Sequence, residues 1–159
     1  MNKSETDITR SPASKVLVLG ATGATGRLIV SQALARGHDV TALVRSPDKG
    51  SDLKGAKRIV GDARDEKALR EALAGQDAVV SALGTPASPL RTVTLLSSAT
   101  RALVSAMKLE QVSRLVCITG IGAGDSAGHG GFLFDNLILP LLLRRVYADK
   151  NRHEAIVRN

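Results

Sequence analysis

A short apolar run that ends in three glycines decides the fold of this chain: residues 16–26 read Val16-Leu-Val-Leu-Gly-Ala-Thr-Gly-Ala-Thr-Gly26. The next segment, 27–36, carries apolar residues at helical spacing and stops at Gly37, a frequent residue at helix C-termini. Strand, glycine loop and helix in this order form the opening of a βαβ unit. We therefore predict that the loop joins the first strand to the first helix.

Each glycine of the loop has its own mechanical role. Gly20 permits a tight turn, Gly23 lets the backbone approach a pyrophosphate, and Gly26 lets the helix pack closely on the strand. Two threonines add hydroxyl donors beside the free N–H groups at the positive end of the helix, where an anion is stabilised. The loop is therefore predicted to bind a dinucleotide through Gly20, Thr22, Gly23, Ala24, Thr25 and Gly26. The alternatives are an ordinary glycine turn and, less favoured because no Gly-Lys-Ser/Thr follows, an ATPase phosphate loop.

The remainder of the chain alternates between short β-branched runs and helix-like segments. Further strands are predicted at Asp39–Val44, Arg58–Val60, Ala78–Ser81 and Arg114–Thr119, and helices at 27–36, 65–74, 89–108, 132–147 and 149–158. With right-handed crossovers, five parallel strands take the order 3-2-1-4-5 in a doubly wound, Rossmann-like α/β fold. The ligand crevice is expected where strands 1 and 4 diverge. The apolar run of the fifth strand predicts burial on both faces.

Composition excludes several functional classes. The chain has 159 residues, 43% hydrophobic and 23% charged, which suits one packed domain over 15–159 and a flexible tail over 1–14. Three aromatic residues are too few for a base-stacking RNA module. The formal charge of +7 comes from scattered residues, so we expect no nucleic-acid partner. The apolar stretch 132–146 is too short and too interrupted to span a membrane.

Cysteine usage indicates a reducing compartment. Cys117 is the only cysteine, so one chain can form neither a disulfide framework nor a cysteine metal cluster, and no metal site is predicted. The first fourteen residues lack the apolar segment of a secretion signal. We expect a cytoplasmic protein without a membrane partner.

The end of the second strand predicts which dinucleotide is bound. NAD sites usually have an acidic residue there for the ribose hydroxyls, whereas an arginine accommodates the 2′-phosphate of NADP. Arg45 stands at this position, and a guanidinium makes paired charge-assisted bonds to phosphate. NADP(H) is therefore favoured over NAD(H). The alternative is that Arg45 is a solvated loop residue.

Five stretches of the chain resemble one family, in order along the sequence. They are residues 20–26, Ala42-Leu-Val-Arg-Ser46, Val60-Gly-Asp-Ala-Arg-Asp65, Val80-Ser-Ala-Leu-Gly-Thr85 and 99–119. Their pattern is similar to that of the atypical short-chain dehydrogenase/reductases of the NmrA-like and biliverdin-IXβ (flavin) reductase type. The resemblance implies an NAD(P) cofactor and leaves the substrate open.

The resemblance also implies further cofactor contacts. Asp62 and Ala63 would flank the adenine, and Asp62 would accept a hydrogen bond from its amino group. At the end of the fourth strand the cofactor would be lined by Ser81, Ala82, Leu83 and Gly84. For Asp62 the alternative is a turn or helix-capping carboxylate.

The catalytic residues match the family pattern less well. Such reductases commonly place a Ser or Thr after the fifth strand and a Tyr-x-x-x-Lys pair on the next helix; Thr119, Tyr147 and Lys150 resemble this set, with the pair one residue closer together. Residues three apart still share a helix face, so Lys150 would lower the pKa of Tyr147 or contact the nicotinamide ribose. Lys150 also resembles the catalytic lysine of isoflavone-type reductases. Its alternative is a surface ion pair with Glu154.

The chain also stops earlier than the family pattern. Related sequences continue past the last helix into a strand of the form Trp-Thr-x-x-Arg-Pro and into elements that close the substrate pocket, whereas this chain ends at Asn159. An edge strand with nothing beyond it leaves unpaired backbone groups. We expect a C-terminally incomplete domain, whether by natural truncation, frameshift or engineering, and a homodimer that covers the open edge.

Two function hypotheses follow. The first is an NADPH-dependent reductase that passes hydride to a flavin, quinone or similar small acceptor, since the cofactor itself supplies the hydride chemistry. The second is a regulator of the NmrA type that senses NADP(H) without turnover. His129 and His153 titrate near neutral pH, but one is flanked by glycines and the other lies on a predicted helix surface, so we expect both to be exposed.

Overall fold

Five parallel strands form one sheet in the computed structural model, which describes residues 12–84, 94–118 and 144–158. The strands are β1 (Lys15–Leu19), β2 (Asp39–Val44), β3 (Lys57–Val60), β4 (Ala78–Ser81) and β5 (Arg114–Cys117). Their order is β3-β2-β1-β4-β5, and every neighbouring pair is parallel. The predicted Rossmann-like fold and its strand order are confirmed.

The described residues contain four helices, α1 (Ala24–Ala35), α2 (Glu66–Leu73), α3 (Leu95–Leu109) and α4 (Arg144–Arg158). α1 begins before its predicted start at residue 27, because the second half of the glycine loop already forms its first turn. α4 is continuous, so the predicted division into two helices near residue 148 is wrong; no proline or glycine interrupts 144–158. The predicted helical stretches 89–93 and 132–143 lie outside the described residues.

Alternation along β1 divides the hydrophobic core into two clusters. Leu17 and Leu19 lie on one face of the sheet with residues of α2 and α3. Val16 and Val18 lie on the other face with residues of α1. All four side chains are buried. Because β1 is central to the sheet and packed on both faces, the glycine loop at its end starts from a rigid position.

The helix ends follow the local sequence. Asp65 caps α2 by accepting a hydrogen bond from the backbone N–H of Lys67 at 2.9 Å. The positive end of a helix stabilises an acidic side chain in this position. α1 ends at Ala35, and Gly37 follows with a φ of 84°. Glycine adopts that conformation without strain, so the predicted helix stop is confirmed.

β5 lacks the two-sided burial that its apolar sequence predicts. Val116 is 53% exposed, and accessibility alternates along the strand. The expectation was wrong because β5 stands at the end of the strand order, where its one hydrogen-bonded neighbour within the described ranges is β4. Among the described strands, this apolar run therefore lies at the edge of the sheet and not in its centre.

α4 packs against α3 and reaches the sheet region through that contact. Within the described ranges, no helix has the length and apolar character needed to cross a membrane. Residues 1–11 of the predicted tail lie outside the description. The domain limits and the homodimer stay predictions.

Candidate functional site

At two positions of the loop, close backbone contacts allow only glycine. Gly20 has a φ of 74°, and a Cβ at this position would lie 2.5 Å from the carbonyl oxygen of Ala82. A Cβ at Gly26 would lie 2.1 Å from the carbonyl oxygen of Gly20. Neither position has room for a side chain, so the loop must pass this close to β4 and to the first turn of α1.

The third glycine faces open space. Gly23 is exposed, precedes α1 as its N-cap residue, and has a φ of −76°. A Cβ built there would meet only the carbonyl oxygen of Gly20, at 3.4 Å. A side chain at Gly23 would therefore fill the space above the loop and not the protein interior.

The first turn of α1 leaves backbone donors available beside this space. The earliest N–H of α1 that bonds to the loop is that of Arg27, which donates to the carbonyl of Gly23 at 2.9 Å. The N–H groups of residues 24–26 precede it and have no helical acceptor. No acidic residue lies in this turn. A bare glycine, orphan N–H donors and the positive helix end together fit a pyrophosphate.

A pocket of about 220 Å³ opens beside the loop, at the carboxyl ends of the central strands. It brings together segments far apart in sequence: Thr25 of the loop, the run after β4, and two residues of α4. Its lining residues are Thr25, Ala82, Leu83, Gly84, Leu96, Ile118, Lys150 and His153. Five of these were predicted site residues, and the pocket lies beyond the carboxyl ends of the paired strands β1 and β4, where ligands bind in such folds.

Two predicted cofactor residues lie closer to the core. Ser81 is the last residue of β4 and is only 5% exposed, and its carbonyl accepts a hydrogen bond from the N–H of Ile118 at 3.0 Å. Ala63 packs against the cluster on the α2 and α3 face. Their contacts with a cofactor stay predictions.

A charged cluster marks the ends of β2 and β3. The N–H of Gly61 donates to the carbonyl of Val44 at 2.8 Å, which ties the two strand ends together. Both oxygens of Asp62 bind Arg64, at 2.9 Å to Nε and 2.5 Å to Nη2. This hydrogen bonding, with a further contribution from Arg45, lowers the pKa of Asp62 to about 2.

Two roles were predicted for Asp62, an adenine contact and a turn carboxylate, and the structure bears on the second. Its Oδ1 also accepts a hydrogen bond from the backbone N–H of Arg64 at 2.8 Å, which is the turn contact named as the alternative. The adenine contact stays a prediction. Sequence reasoning missed Arg64, although its position two residues after Asp62 on a tight turn was a usable signal.

The predicted catalytic residues are not all described. Lys150 lines the pocket, and its contact with the nicotinamide ribose stays a prediction. Tyr147 lies on α4 one turn earlier, and its side chain lies outside the description. Thr119 also lies outside the described residues. The alternative for Lys150 was an ion pair with Glu154. Oε2 of Glu154 lies 3.8 Å from Nη2 of Arg158.

The expectation that His153 is exposed was wrong. Its side chain is 3% exposed and lines the pocket, and its Nδ1 lies 2.5 Å from Oγ1 of Thr100 on α3. Burial lowers its pKa, against smaller opposing effects of Glu154 and Asp149. The cause of the error is packing: α4 lies against α3, so a helix face that looked solvated became an interior one.

Asp149 is a second residue that sequence reasoning missed. It is fully buried, and its carboxylate accepts hydrogen bonds from the backbone N–H groups of Leu96, at 2.9 Å, and Ser97, at 3.3 Å. The hydroxyl of Ser97 also donates to it. Asp149 thus supplies the N-terminal cap of α3 from another helix. The sequence signal was the i,i+4 spacing of Asp149 and His153, which places both side chains on one face of the helix.

Comparison with known proteins agrees with this geometry. A family model described as NAD(P)H-binding matches residues 20–159. Photosystem II assembly factor Ycf39 of Cyanophora paradoxa is 35% identical over 104 residues, which cover 64% of this chain and 32% of that protein. The isoflavone reductase homolog IRL of Zea mays is 39% identical over 84 residues, which cover 46% of this chain and 27% of that protein.

Among solved structures, the anaerobillin reductase ChuY from Escherichia coli O157:H7 superposes with a TM-score of 0.75 at 21% identity. The match covers 92% of this chain and 68% of ChuY, and it shows the shared fold. The chain spans about a third or less of the length of the two curated relatives. The family model matches residues 20–159, which is most of the chain, so this chain belongs to that NAD(P)H-binding family.

Proposed function

We propose that this protein is an NADPH-dependent oxidoreductase that passes hydride to a flavin, quinone or similar small acceptor. One observation carries the proposal: a single pocket joins the phosphate-binding loop, through Thr25, to the strand end at Ala82 and to Lys150. A dinucleotide that lies along this edge extends from the loop into the pocket. The reductase names among its relatives support the same class of reaction.

The chain's own groups account for cofactor binding. The N–H groups of residues 24–26 and the open face of Gly23 would hold the two phosphates. Gly84 and Leu83 would border the nicotinamide end, since both line the pocket and Leu83 also packs against the core. These contacts would orient the cofactor without an acidic side chain in the first turn of α1.

The charged cluster supports a preference for NADPH over NADH. Arg45 is exposed just after β2, and its positive charge contributes to the lowered pKa of Asp62. Arg64 is also exposed and already binds both oxygens of Asp62. Two guanidinium groups and one carboxylate leave a net positive charge, which favours the 2′-phosphate of NADPH. A carboxylate that is bound by arginine is less able to accept hydrogen bonds from the ribose hydroxyls of NADH.

The reaction places light demands on this chain. When bound, the nicotinamide would supply the hydride, and the protein's task is to orient it and to exclude water. The apolar side chains of Leu83, Leu96 and Ile118 line the pocket and would serve both tasks, the orientation of the nicotinamide and the exclusion of water. Lys150 would contact the nicotinamide ribose, and Tyr147 and Thr119 would assist protonation where the acceptor needs a proton. A flavin or quinone needs little acid catalysis, so the altered Tyr and Lys spacing is compatible with turnover.

The test combines binding and turnover in the purified full chain. Calorimetric titration with NADPH and NADH gives the affinities, and the loss of NADPH absorbance with menadione or FMN gives the rate. We expect NADPH to bind more tightly than NADH and to be oxidised when either acceptor is present. The Gly23→Ala variant is the matched control and should lose both signals while it stays folded.

Two other outcomes are informative. Tight NADPH binding without oxidation would replace the reductase by the regulator that senses NADP(H). If neither nucleotide gives a binding signal, the proposed function is wrong.

A further inference from the structure

The pocket contains a buried histidine that the family pattern does not place there. His153 lies on α4, is 3% exposed, and lines the pocket beside Lys150 and Leu96. A histidine buried at a pocket is a costly residue unless its ring nitrogens are used. Each ring nitrogen of His153, Nδ1 or Nε2, can donate or accept a hydrogen bond, depending on which of them carries the proton.

Thr100 determines the tautomer of His153. The Oγ1 hydroxyl of Thr100 donates to the carbonyl of Leu96 at 2.7 Å, and the same oxygen lies 2.5 Å from Nδ1 of His153. A hydroxyl has one proton to donate, and here the carbonyl takes it. The contact with His153 must therefore run the other way, with Nδ1–H as donor and Oγ1 as acceptor.

The second ring nitrogen is left for the pocket. With the proton on Nδ1, a neutral imidazole has its lone pair on Nε2. Within the described residues, the buried side-chain polar atom that lacks a partner is Oε1 of Gln76, so Nε2 is not sealed in an apolar interior. Burial also lowers the pKa of His153, which keeps the ring neutral. The pocket thus presents an acceptor at Nε2.

We propose that Nε2 of His153 accepts a hydrogen bond from an N–H or O–H group of the bound ligand, and that the pocket selects for ligands with such a donor. The inference rests on the proposed function, which puts cofactor and acceptor in this pocket. The donor has two sources: the carboxamide and ribose at the nicotinamide end of the cofactor, or a donor-bearing acceptor such as a flavin.

The tautomer is tested first, and without any ligand. Long-range proton–nitrogen NMR correlations on the full chain distinguish a protonated Nδ1 from a protonated Nε2. We expect Nδ1–H for His153, a shift toward Nε2–H in Thr100→Val, and no shift in Thr100→Ser, which keeps the hydroxyl. Observation of Nε2–H in the unaltered protein would overturn the proposal.

The acceptor role is tested with His153→Asn. The asparagine amide nitrogen occupies the place of Nδ1 and can still donate to Thr100, whereas the group corresponding to Nε2 is gone. Loss of one hydrogen bond weakens binding about ten-fold. An effect on NADPH affinity identifies the cofactor as the source of the donor.

An effect confined to FMN identifies the acceptor instead. Menadione is the matched probe, because it has neither an N–H nor an O–H group. In that case the His153→Asn variant should bind FMN about ten-fold more weakly, whereas its affinity for menadione should fall by a much smaller factor. If the affinities for NADPH and for FMN both stay as they are in the unaltered chain, the proposal is wrong.

Failure of the proposed function is recognised separately. It shows as the absence of NADPH binding by the unaltered chain, whereas the tautomer is read from the protein alone and the FMN titration needs no turnover. A chain without NADPH binding, but with the Nδ1–H tautomer and with FMN affinity that falls in His153→Asn, would refute the reductase and support the acceptor role.

Discussion

The carboxylate of Asp149 on α4 accepts a hydrogen bond from the backbone N–H of Leu96, the second residue of α3, at 2.9 Å. The same carboxylate accepts from Ser97 as well. α3 has no side-chain cap of its own at Thr94. One helix therefore caps another across more than fifty residues of sequence, and the contact also sets where α4 presents Lys150 and His153 to the pocket.

Asp149→Ala should destabilise the protein by about 2–4 kcal/mol, because it removes hydrogen bonds to a charged acceptor and leaves buried N–H groups unpaired. Asp149→Asn should cost less, since its amide oxygen replaces one acceptor. Urea denaturation measures both values. Hydrogen exchange at Leu96 and Ser97 should become faster in the alanine variant, and equal stability of all three proteins would refute the capping role.

Gly23→Ala and Gly26→Ala should separate cofactor binding from folding. Gly23 has an ordinary φ and open space, so alanine there should cost about 0.5–1 kcal/mol of stability and yet weaken NADPH binding at least ten-fold, because its methyl group occupies the approach to the N–H donors. Gly26→Ala drives a methyl group into the carbonyl of Gly20 and should cost several times more stability. Thermal melts and calorimetry give the two quantities.

Arg45→Ala should weaken NADPH binding about thirty-fold and NADH binding by less than about three-fold, since the guanidinium is proposed to contact a phosphate that NADH lacks. Arg64→Ala should show the same direction with a smaller ratio, because this guanidinium is shared with Asp62. Dissociation constants from fluorescence titration test the pair. Equal losses for both nucleotides would end the case for 2′-phosphate recognition.

The pKa of Asp62 should rise from about 2 toward its ordinary value of 3.8 in Arg64→Ala, because the side-chain hydrogen bond from Arg64 is the largest cause of the shift. Arg45→Ala should raise it less. A depressed native pKa stabilises the fold above the unfolded value, and that contribution disappears as the pH falls from 3.8 through about 2. The carboxylate is 38% exposed, so the effect on stability is small. Carbon NMR titration of the carboxylate is the direct measurement.

His153 predicts a second pH dependence, with the same sign as that of Asp62 but at higher pH. Its native pKa lies below the ordinary 6.5, so the unfolded chain binds the proton more readily and stability rises with pH between the native value and 6.5. Above 6.5 the contribution is constant. His153→Asn should remove this component, which denaturation at several pH values compares directly with the unaltered chain. Parallel stability curves for the two proteins would contradict the buried neutral ring.

Local sequence was sufficient where one segment meets its neighbour through the backbone. The glycine spacing predicted the turn at Gly20 and the tight packing at Gly26, since both are steric demands of a strand–loop–helix unit. The strand pattern predicted the sheet order because crossovers in such folds have one hand. It failed at β5, whose apolar residues are the same at an edge as in the middle of a sheet.

Sequence alone thus determined the fold, the glycine loop and the family, because these depend on short-range periodicity and on Gly20 and Gly26, where a Cβ would clash with the backbone. Tertiary structure alone decided that His153 is interior and that Asp149 caps α3. The physical reason is that burial and partner choice arise from how α4 packs on α3, and helix periodicity does not say which neighbour a face will meet.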